Sequence, residues 1–346
     1  MTPPPPDPPL RVGIVGTGAI AQVAHLPAYL RLPSVRVTAL CDVDPTKLRL
    51  LQSRHGIPHV HRSLEELLGR DDVDAVDVCL PNHLHQDAVL AALAAGKHVL
   101  CEKPLAPTAE GVEAVVEARR GTGLQVLVGM NHRFRSDSIL LKRFLEEGGV
   151  GEPFYVRAGW LQRRGMLEPT NWRYRRSVAG GGAFTDLGIQ LLDLALWLTD
   201  YPRLERIAAR FVHGTPTIEV EDSAVALLRG ETLAVALEAS WTFALDADYH
   251  RLTVFGNEGS AQLEPLRLLA RGPGGVVDRT PAYWRPSRNA YLESYRREIA
   301  YFVEVVSGRE EPPPLEEQVE LMRLVGRIER EAARAGGVPA AGVPAE

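Results

Sequence analysis

The sequence predicts an α/β fold: an N-terminal doubly wound parallel sheet, then a C-terminal α+β domain with a largely antiparallel sheet. Three observations carry that prediction. From residue 11 to residue 129 short β-branched runs alternate with helical segments, a glycine turn closes the first run, and beyond residue 130 strands succeed one another with little helix between them.

Taken in order, strands are expected at 11–16, 35–42, 59–61, 75–80, 98–101 and 124–129, with helices near 19–31, 45–55, 63–69, 84–95 and 108–120. Ser63 and Glu66 stand at capping-box spacing, which fixes the start of the third helix. After Met130 come a helix at 138–147, a strand at 153–161, and a polar, arginine-rich loop that leads to Gly180-Gly181-Gly182 and a helix at 183–198. Strands at 204–212, 222–228, 233–241, 250–256 and 260–264 then form an antiparallel pattern. Two late helices, 289–307 and 315–334, are expected to pack back on the core. The domains are therefore placed at 10–130 and 131–335, with the proline tract 1–9 and the Ala/Gly/Pro tail 336–346 expected to be disordered.

A chain of 346 residues is long enough for about two domains and a sizeable core. Hydrophobic content of 45%, charged content of 24% and a formal charge of −5 leave no basic excess for nucleic acid and no polybasic run for a membrane surface. Small molecules are the expected partners. No apolar stretch reaches the ~20 residues of a membrane span, and prolines occupy the place of a secretion signal, so a cytoplasmic location is expected. Cys41, Cys79 and Cys101 each fall near a strand end, where small apolar packing explains them better than a disulfide or a metal.

Gly16-Thr17-Gly18-Ala19-Ile20-Ala21 links the first strand to the first helix, so backbone N–H groups and a helix N-terminus can face a pyrophosphate. Asp42 ends the second strand, placed to accept from ribose hydroxyls. With Val43 and Asp44 following and no arginine adjacent, that carboxylate would repel a 2′-phosphate; NAD is favoured, NADP remaining possible. Pro81-Asn82-His83-Leu84-His85 follows the fourth strand and is expected at the same carboxyl edge, with Pro81, Asn82 and His85 bordering the cofactor. No carboxylate or cysteine completes a ligand set around His83 and His85, and no metal is expected there or at His59 and His61.

Basic residues add a further signal. The chain has four lysines, Lys47, Lys97, Lys103 and Lys142, and every other cationic position is arginine. Arginine keeps its proton, whereas a lysine can be tuned toward neutrality and act as an acid or base. Lys103 lies in Glu102-Lys103-Pro104, where a short apolar strand runs out.

With these features the chain resembles the glucose-fructose oxidoreductase/inositol dehydrogenase family (Gfo/Idh/MocA), whose members join a Rossmann domain to an α+β domain. The likeness covers nearly the whole chain. It rests on the turn at 16–21, the 81–85 loop, Glu102-Lys103-Pro104, Gly129-Met130-Asn131-His132-Arg133-Phe134, Asn171-Trp172-Arg173, and Gly180-Gly181-Gly182 followed by Asp186, Gly188, Asp193 and Trp197. The resemblance implies that Glu102 lies near nicotinamide, that Lys103 contacts substrate and cofactor, that the Lys103-Pro104 bond is cis, and that Asn131 belongs to the cofactor site. It also implies that the 183–198 helix lines a substrate pocket.

That helix usually carries an aspartate and, four residues on, a histidine that serves as acid/base; here the pair is Asp186 and Gln190, with Asp193 about one turn further on the same polar stripe. Glutamine hydrogen-bonds but exchanges no proton near neutral pH. The implied activity is hydride transfer between nicotinamide and a ring hydroxyl of a sugar, sugar acid or cyclitol. Lys103 would handle the proton, Asp186 and Gln190 would orient the substrate, and Arg133, Trp172, Arg173 and Asp193 would border it. The alternatives are a cofactor-binding sensor without turnover and an NAD-dependent glycoside-cleaving enzyme. A homodimer or homotetramer is expected, because an open antiparallel sheet commonly needs a cover.

Overall fold

The computed structural model describes residues 8–163 and 171–336. The disorder expected at 1–9 and 336–346, except at positions 8, 9 and 336, and part of the arginine-rich loop lie outside the described residues. The chain divides into two compact units, Met1–Asn131 with Tyr291–Val319, and His132–Ala290 with Glu320–Glu346.

In the first unit β1 (Leu10–Val15), β2 (Val35–Cys41), β3 (His59–His61), β4 (Ala75–Val78), β5 (His98–Glu102) and β6 (Val126–Gly129) form one parallel sheet in the order β3-β2-β1-β4-β5-β6. Strand order reverses between β1 and β4, and their carboxyl ends open the crevice where such sheets bind ligands. Of the crossover helices Pro45–His55, Leu64–Leu68, His85–Ala94 and Ala109–Arg119, all but His85–Ala94 start at a side-chain cap. Asp44 accepts from the N–H groups of Thr46 and Lys47, and Ser63 accepts from that of Glu66. Val12, Ile14, Leu40 and Leu100 share a buried cluster with Ile299 and Phe302 of the late helix Ala290–Val306.

In the second unit the sheet has eight strands: β7 (Pro153–Arg163), β8 (Leu204–Val212), β9 (Ser223–Gly230), β10 (Ala234–Phe243), β11 (Tyr249–Gly256), β12 (Gly259–Leu263), β13 (Arg267–Gly272) and β14 (Gly275–Asp278). Their order is β14-β13-β12-β11-β7-β10-β9-β8, antiparallel throughout except for the β10–β7 pair. That pair can be parallel because the chain between its strands carries helices and two strands, ample length for a crossover. β13 and β14 have no counterpart in the sequence reading. All four residues of β14 are exposed and a Gly-Pro-Gly-Gly run joins the two strands, so neither apolar alternation nor a buried run marks this hairpin.

The helix Ile189–Leu198, apolar except for Gln190 and Asp193, is buried on nearly every side. A π-helical turn, Phe184–Gly188, precedes it, and another, Ala21–His25, opens the first helix of the first unit. Periodicity read from sequence does not distinguish such widened turns from ordinary ones, although they gather at functional sites. Among the described residues no helix is long and apolar enough to cross a membrane.

Candidate functional site

At the end of β1 the backbone of Gly16 turns with φ +88°, and a Cβ there would stand 2.5 Å from the Cys79 carbonyl oxygen at the end of β4. Only glycine lets the chain pass between the two strand ends. Gly18, two residues on, has no heavy atom within 4 Å of where a Cβ would lie, which leaves an open cradle over the turn. Asp42 at the end of β2 is aimed by its neighbours. Its Oδ2 accepts from the N–H and hydroxyl of Thr17, both at 2.7 Å, and its Oδ1 accepts from the Asp44 N–H at 2.9 Å. Burial alone would raise its pKa, but these donors prevail and hold the carboxyl below its ordinary value, so it is ionised at neutral pH. Val43 beside it is 79% exposed, open for an adenosine to cover. The cradle, the fixed carboxylate and the exposed side chain together fit a dinucleotide.

Pro81 and Asn82 lie half-buried at the end of β4. His85, grouped with them from sequence as a cofactor contact, is placed otherwise: its ring is buried, with Nδ1 2.7 Å from the Pro104 carbonyl oxygen and Nε2 2.7 Å from that of Leu80. Burial pushes its pKa down, so the ring, lying between the exit of β4 and the cis Lys103-Pro104 bond, donates to one of these two carbonyls. Asn131 is buried, donates from Nδ2 to Ser294 Oγ at 2.9 Å, and its Oδ1 has no hydrogen-bond partner among the described residues.

Lys103 follows β5, half-buried. Glu102 before it is 7% exposed, and both carboxylate oxygens are engaged: Oε2 accepts from the Lys103 backbone N–H at 3.2 Å, and Oε1 lies 3.0 Å from His25 Nε2. His25 and its further partner Asp77 are missing from the sequence reading. The available signal is an aspartate in the middle of the apolar run Ala75-Val76-Asp77-Val78, where a charge is retained only if it is paired.

In the second unit Arg133 and Asp193 meet each other. Arg133 Nε and Nη2 donate to the two Asp193 oxygens at 2.8 and 2.6 Å, Nη2 also donates to the Tyr201 hydroxyl, and both charged residues are buried. This is at odds with the expectation that both border a substrate: the buried ion pair engages both Asp193 oxygens and the Nε and Nη2 of Arg133. It also removes Asp193 from the polar stripe, which keeps Asp186 and Gln190. Asp186 accepts from Trp241 Nε1 at 3.3 Å, and Gln190, 7% exposed, holds its Oε1 with no hydrogen-bond partner among the described residues. The Arg173 guanidinium stacks over the Trp172 ring, 4.8 Å from its centroid.

The helix that carries Asp186 and Gln190 is seated by a residue with no motif around it. The buried carboxylate of Glu221 accepts from the N–H groups of Gly182 and Phe184 at 2.9 and 3.1 Å, and a Cβ on Gly182 would overlap the Glu221 backbone oxygen at 1.9 Å. Nearby, burial and the Glu221 charge raise the Glu329 carboxyl to about 7. With the folded value above the ordinary 4.5, this residue costs nothing below pH 4.5, and its penalty grows as pH rises through about 7. Glu329→Gln should therefore raise the unfolding midpoint at pH 8 and leave it unchanged at pH 4.5. The gain is on the order of 2 kcal/mol, allowing for the solvent that intermediate exposure admits. Equal shifts at both pH values, read by differential scanning calorimetry, would refute this.

A parallel sheet with a glycine turn and a strand-end carboxylate at its switch point, coupled to a second unit with a large mixed sheet, defines a two-part dinucleotide-binding oxidoreductase. The chain belongs to the GFO/IDH/MocA oxidoreductase family: residues 10–130 match its NAD-binding Rossmann fold and residues 139–262 its C-terminal domain. The inositol 2-dehydrogenase of Acidothermus cellulolyticus is 31% identical over 311 residues, 88% of this chain and 87% of its own. The 1,5-anhydro-D-fructose reductase of Ensifer adhaerens is 30% identical over 317 residues, 87% of this chain and 90% of its own. Among solved structures, the aldose-aldose oxidoreductase of Caulobacter crescentus, complexed with glycerol, superposes with a TM-score of 0.81 at 25% identity, covering 94% of this chain and 98% of that one.

Proposed function

We propose that this protein is an NAD-dependent dehydrogenase that moves a hydride between nicotinamide and a ring hydroxyl of a sugar, sugar acid or cyclitol. One observation carries the reading: Lys103, the one lysine in a Glu-Lys-Pro run, leaves a strand end whose preceding carboxylate is buried and hydrogen-bonded on both oxygens. The 16–21 turn (Gly16, Gly18, Ala19, Ile20 and Ala21), Asp42, Val43, Pro81, Asn82 and Asn131 would hold the dinucleotide. When bound, its nicotinamide supplies the hydride acceptor or donor.

In the oxidation the unprotonated ε-amine of Lys103 accepts the hydroxyl proton as the carbinol C–H leaves as hydride. Asp186 and Gln190 orient the substrate. Gln190 Oε1, buried and with no hydrogen-bond partner among the described residues, suits a hydroxyl donor, since an unmet buried acceptor gains most from one. Trp172 and Arg173 border the ring. Relatives named for inositol and an anhydro sugar support this class of substrate. A cytoplasmic homodimer or homotetramer completes the proposal, the exposed Val225 and Leu227 of β9 offering apolar surface for a partner copy.

Absorbance at 340 nm with NAD or NADP and a panel of cyclitols, aldoses and sugar acids tests the reading. Reduced cofactor should accumulate with at least one of them, faster with NAD than with NADP. Tight NADH binding without turnover on the whole panel would overturn it in favour of a sensor.

A further inference from the structure

The first unit contains a buried cluster of ionisable groups that the proposed reaction does not use. His25 in the π-helical turn is fully buried. Its Nδ1 lies 2.8 Å from Asp77 Oδ2 on β4 and its Nε2 lies 3.0 Å from Glu102 Oε1 on β5, while the Tyr295 ring packs 5.2 Å away, centroid to centroid, tilted by 52°. Cys79 Sγ sits 3.5 Å from the other Asp77 oxygen, and the Tyr29 hydroxyl is buried close by. His25, Asp77 and Cys79 bring possible metal-ligand atoms within 4.8 Å of one another. A metal is the weaker reading, because each ring nitrogen already faces a carboxylate oxygen, and a ring that donates to both has no lone pair left for an ion.

We propose that His25 is a positioning residue for the reaction: bridging Asp77 and Glu102, its ring holds the Glu102 carboxylate in one orientation, with Oε2 on the Lys103 N–H, and so fixes where Lys103 leaves β5. A ring whose two nitrogens each face a carboxylate oxygen donates to both only as an imidazolium, since a neutral ring donates from one nitrogen only. Charge then alternates from Asp77 to His25 to Glu102, and both buried carboxylates face the same cation. Burial by itself favours the neutral ring, but the charge of Asp77 overrides it and holds the proton well above the ordinary histidine range. Burial likewise pushes Glu102 up, and the bond from His25 outweighs it and holds that carboxyl below its ordinary value. The arrangement also explains why an aspartate stands in the middle of β4.

The inference rests on the reading of Lys103 as the proton carrier, and its test has one arm independent of turnover. In the intact, ¹⁵N-histidine-labelled protein, His25 should show both ring nitrogens protonated from pH 6 to pH 8; a neutral ring at pH 7 overturns the proposal. In His25→Gln the Glu102 charge loses its cation and acts more strongly on Lys103. The half-maximal point of kcat for alcohol oxidation should then move to higher pH by about 0.5–1 unit. The same variant should lower kcat by about 10- to 100-fold, with the KM for NAD within about threefold. A folded variant with an unshifted pH profile overturns the positioning role. A doubly protonated ring in an enzyme indifferent to loss of Lys103 would instead refute the proton-carrier reading, and the positioning role with it, while leaving the Asp77–His25–Glu102 arrangement in place.

Discussion

Replacement of Lys103 by methionine is expected to lower turnover by ~10² or more while leaving NAD(H) affinity within a few fold. Methionine is of similar length and fills similar space, so β5, its buried Glu102 and the loop beside His85 should persist. What disappears is the group that takes a proton from the substrate hydroxyl. At the position where the family resemblance implies an acid/base histidine, this chain has Gln190, which has no proton to exchange near neutral pH. General acid/base assistance is worth ~10²- to 10⁴-fold, and without a second titratable group at that position the loss should fall in the upper part of the range. Initial rates at 340 nm and NADH fluorescence titration measure the two quantities separately. A variant with nearly full activity would exclude Lys103 as the proton carrier.

Removal of the Arg133 side chain is expected to have the largest effect on stability. Arg133→Ala strips a bidentate partner from Asp193, which is 1% exposed and would be left as a buried charge without its cation. Breaking such a pair from one side typically costs ~3–5 kcal/mol. The double variant Arg133→Met with Asp193→Leu should recover much of that loss, because similar apolar volume replaces both charges. Denaturant unfolding without ligand decides the matter. If Arg133→Ala unfolds at the same midpoint as the parent and only the KM for substrate rises, then Arg133 touches substrate and the ion pair is dispensable.

These expectations differ in how they become visible. The glycine turn, Asp42 and Glu102-Lys103-Pro104 belong to stretches whose chemistry is local. A backbone turn that tolerates no Cβ, a carboxylate at a strand end and a lysine before proline are all legible within a few residues of sequence, and the structure sets them at the carboxyl ends of β1, β2 and β5. Period and cap signals likewise placed the six parallel strands and the helix Pro45–His55. The hairpin of β13 and β14 was missed because its exposed residues carry no burial pattern. The π turns were missed because an inserted residue alters the hydrogen bonding without altering composition.

What the sequence determined by itself is therefore the order of elements and the chemical endowment of the strand ends, since both follow from short-range sterics, periodicity and side-chain type. Tertiary structure alone decided which polar groups neutralise one another. Arg133 and Asp193 are 60 residues apart and His25 and Glu102 are 77 apart, and each pair meets only when separate elements are packed together. A charge in water needs no partner, but one taken out of water must find its counterpart wherever the fold supplies it. For that reason Arg133 and Asp193 moved from substrate contacts to a buried ion pair, His85 from a cofactor contact to a buried ring between two backbone carbonyls, and His25 from an unremarked helix residue to the support of Glu102 beside Lys103.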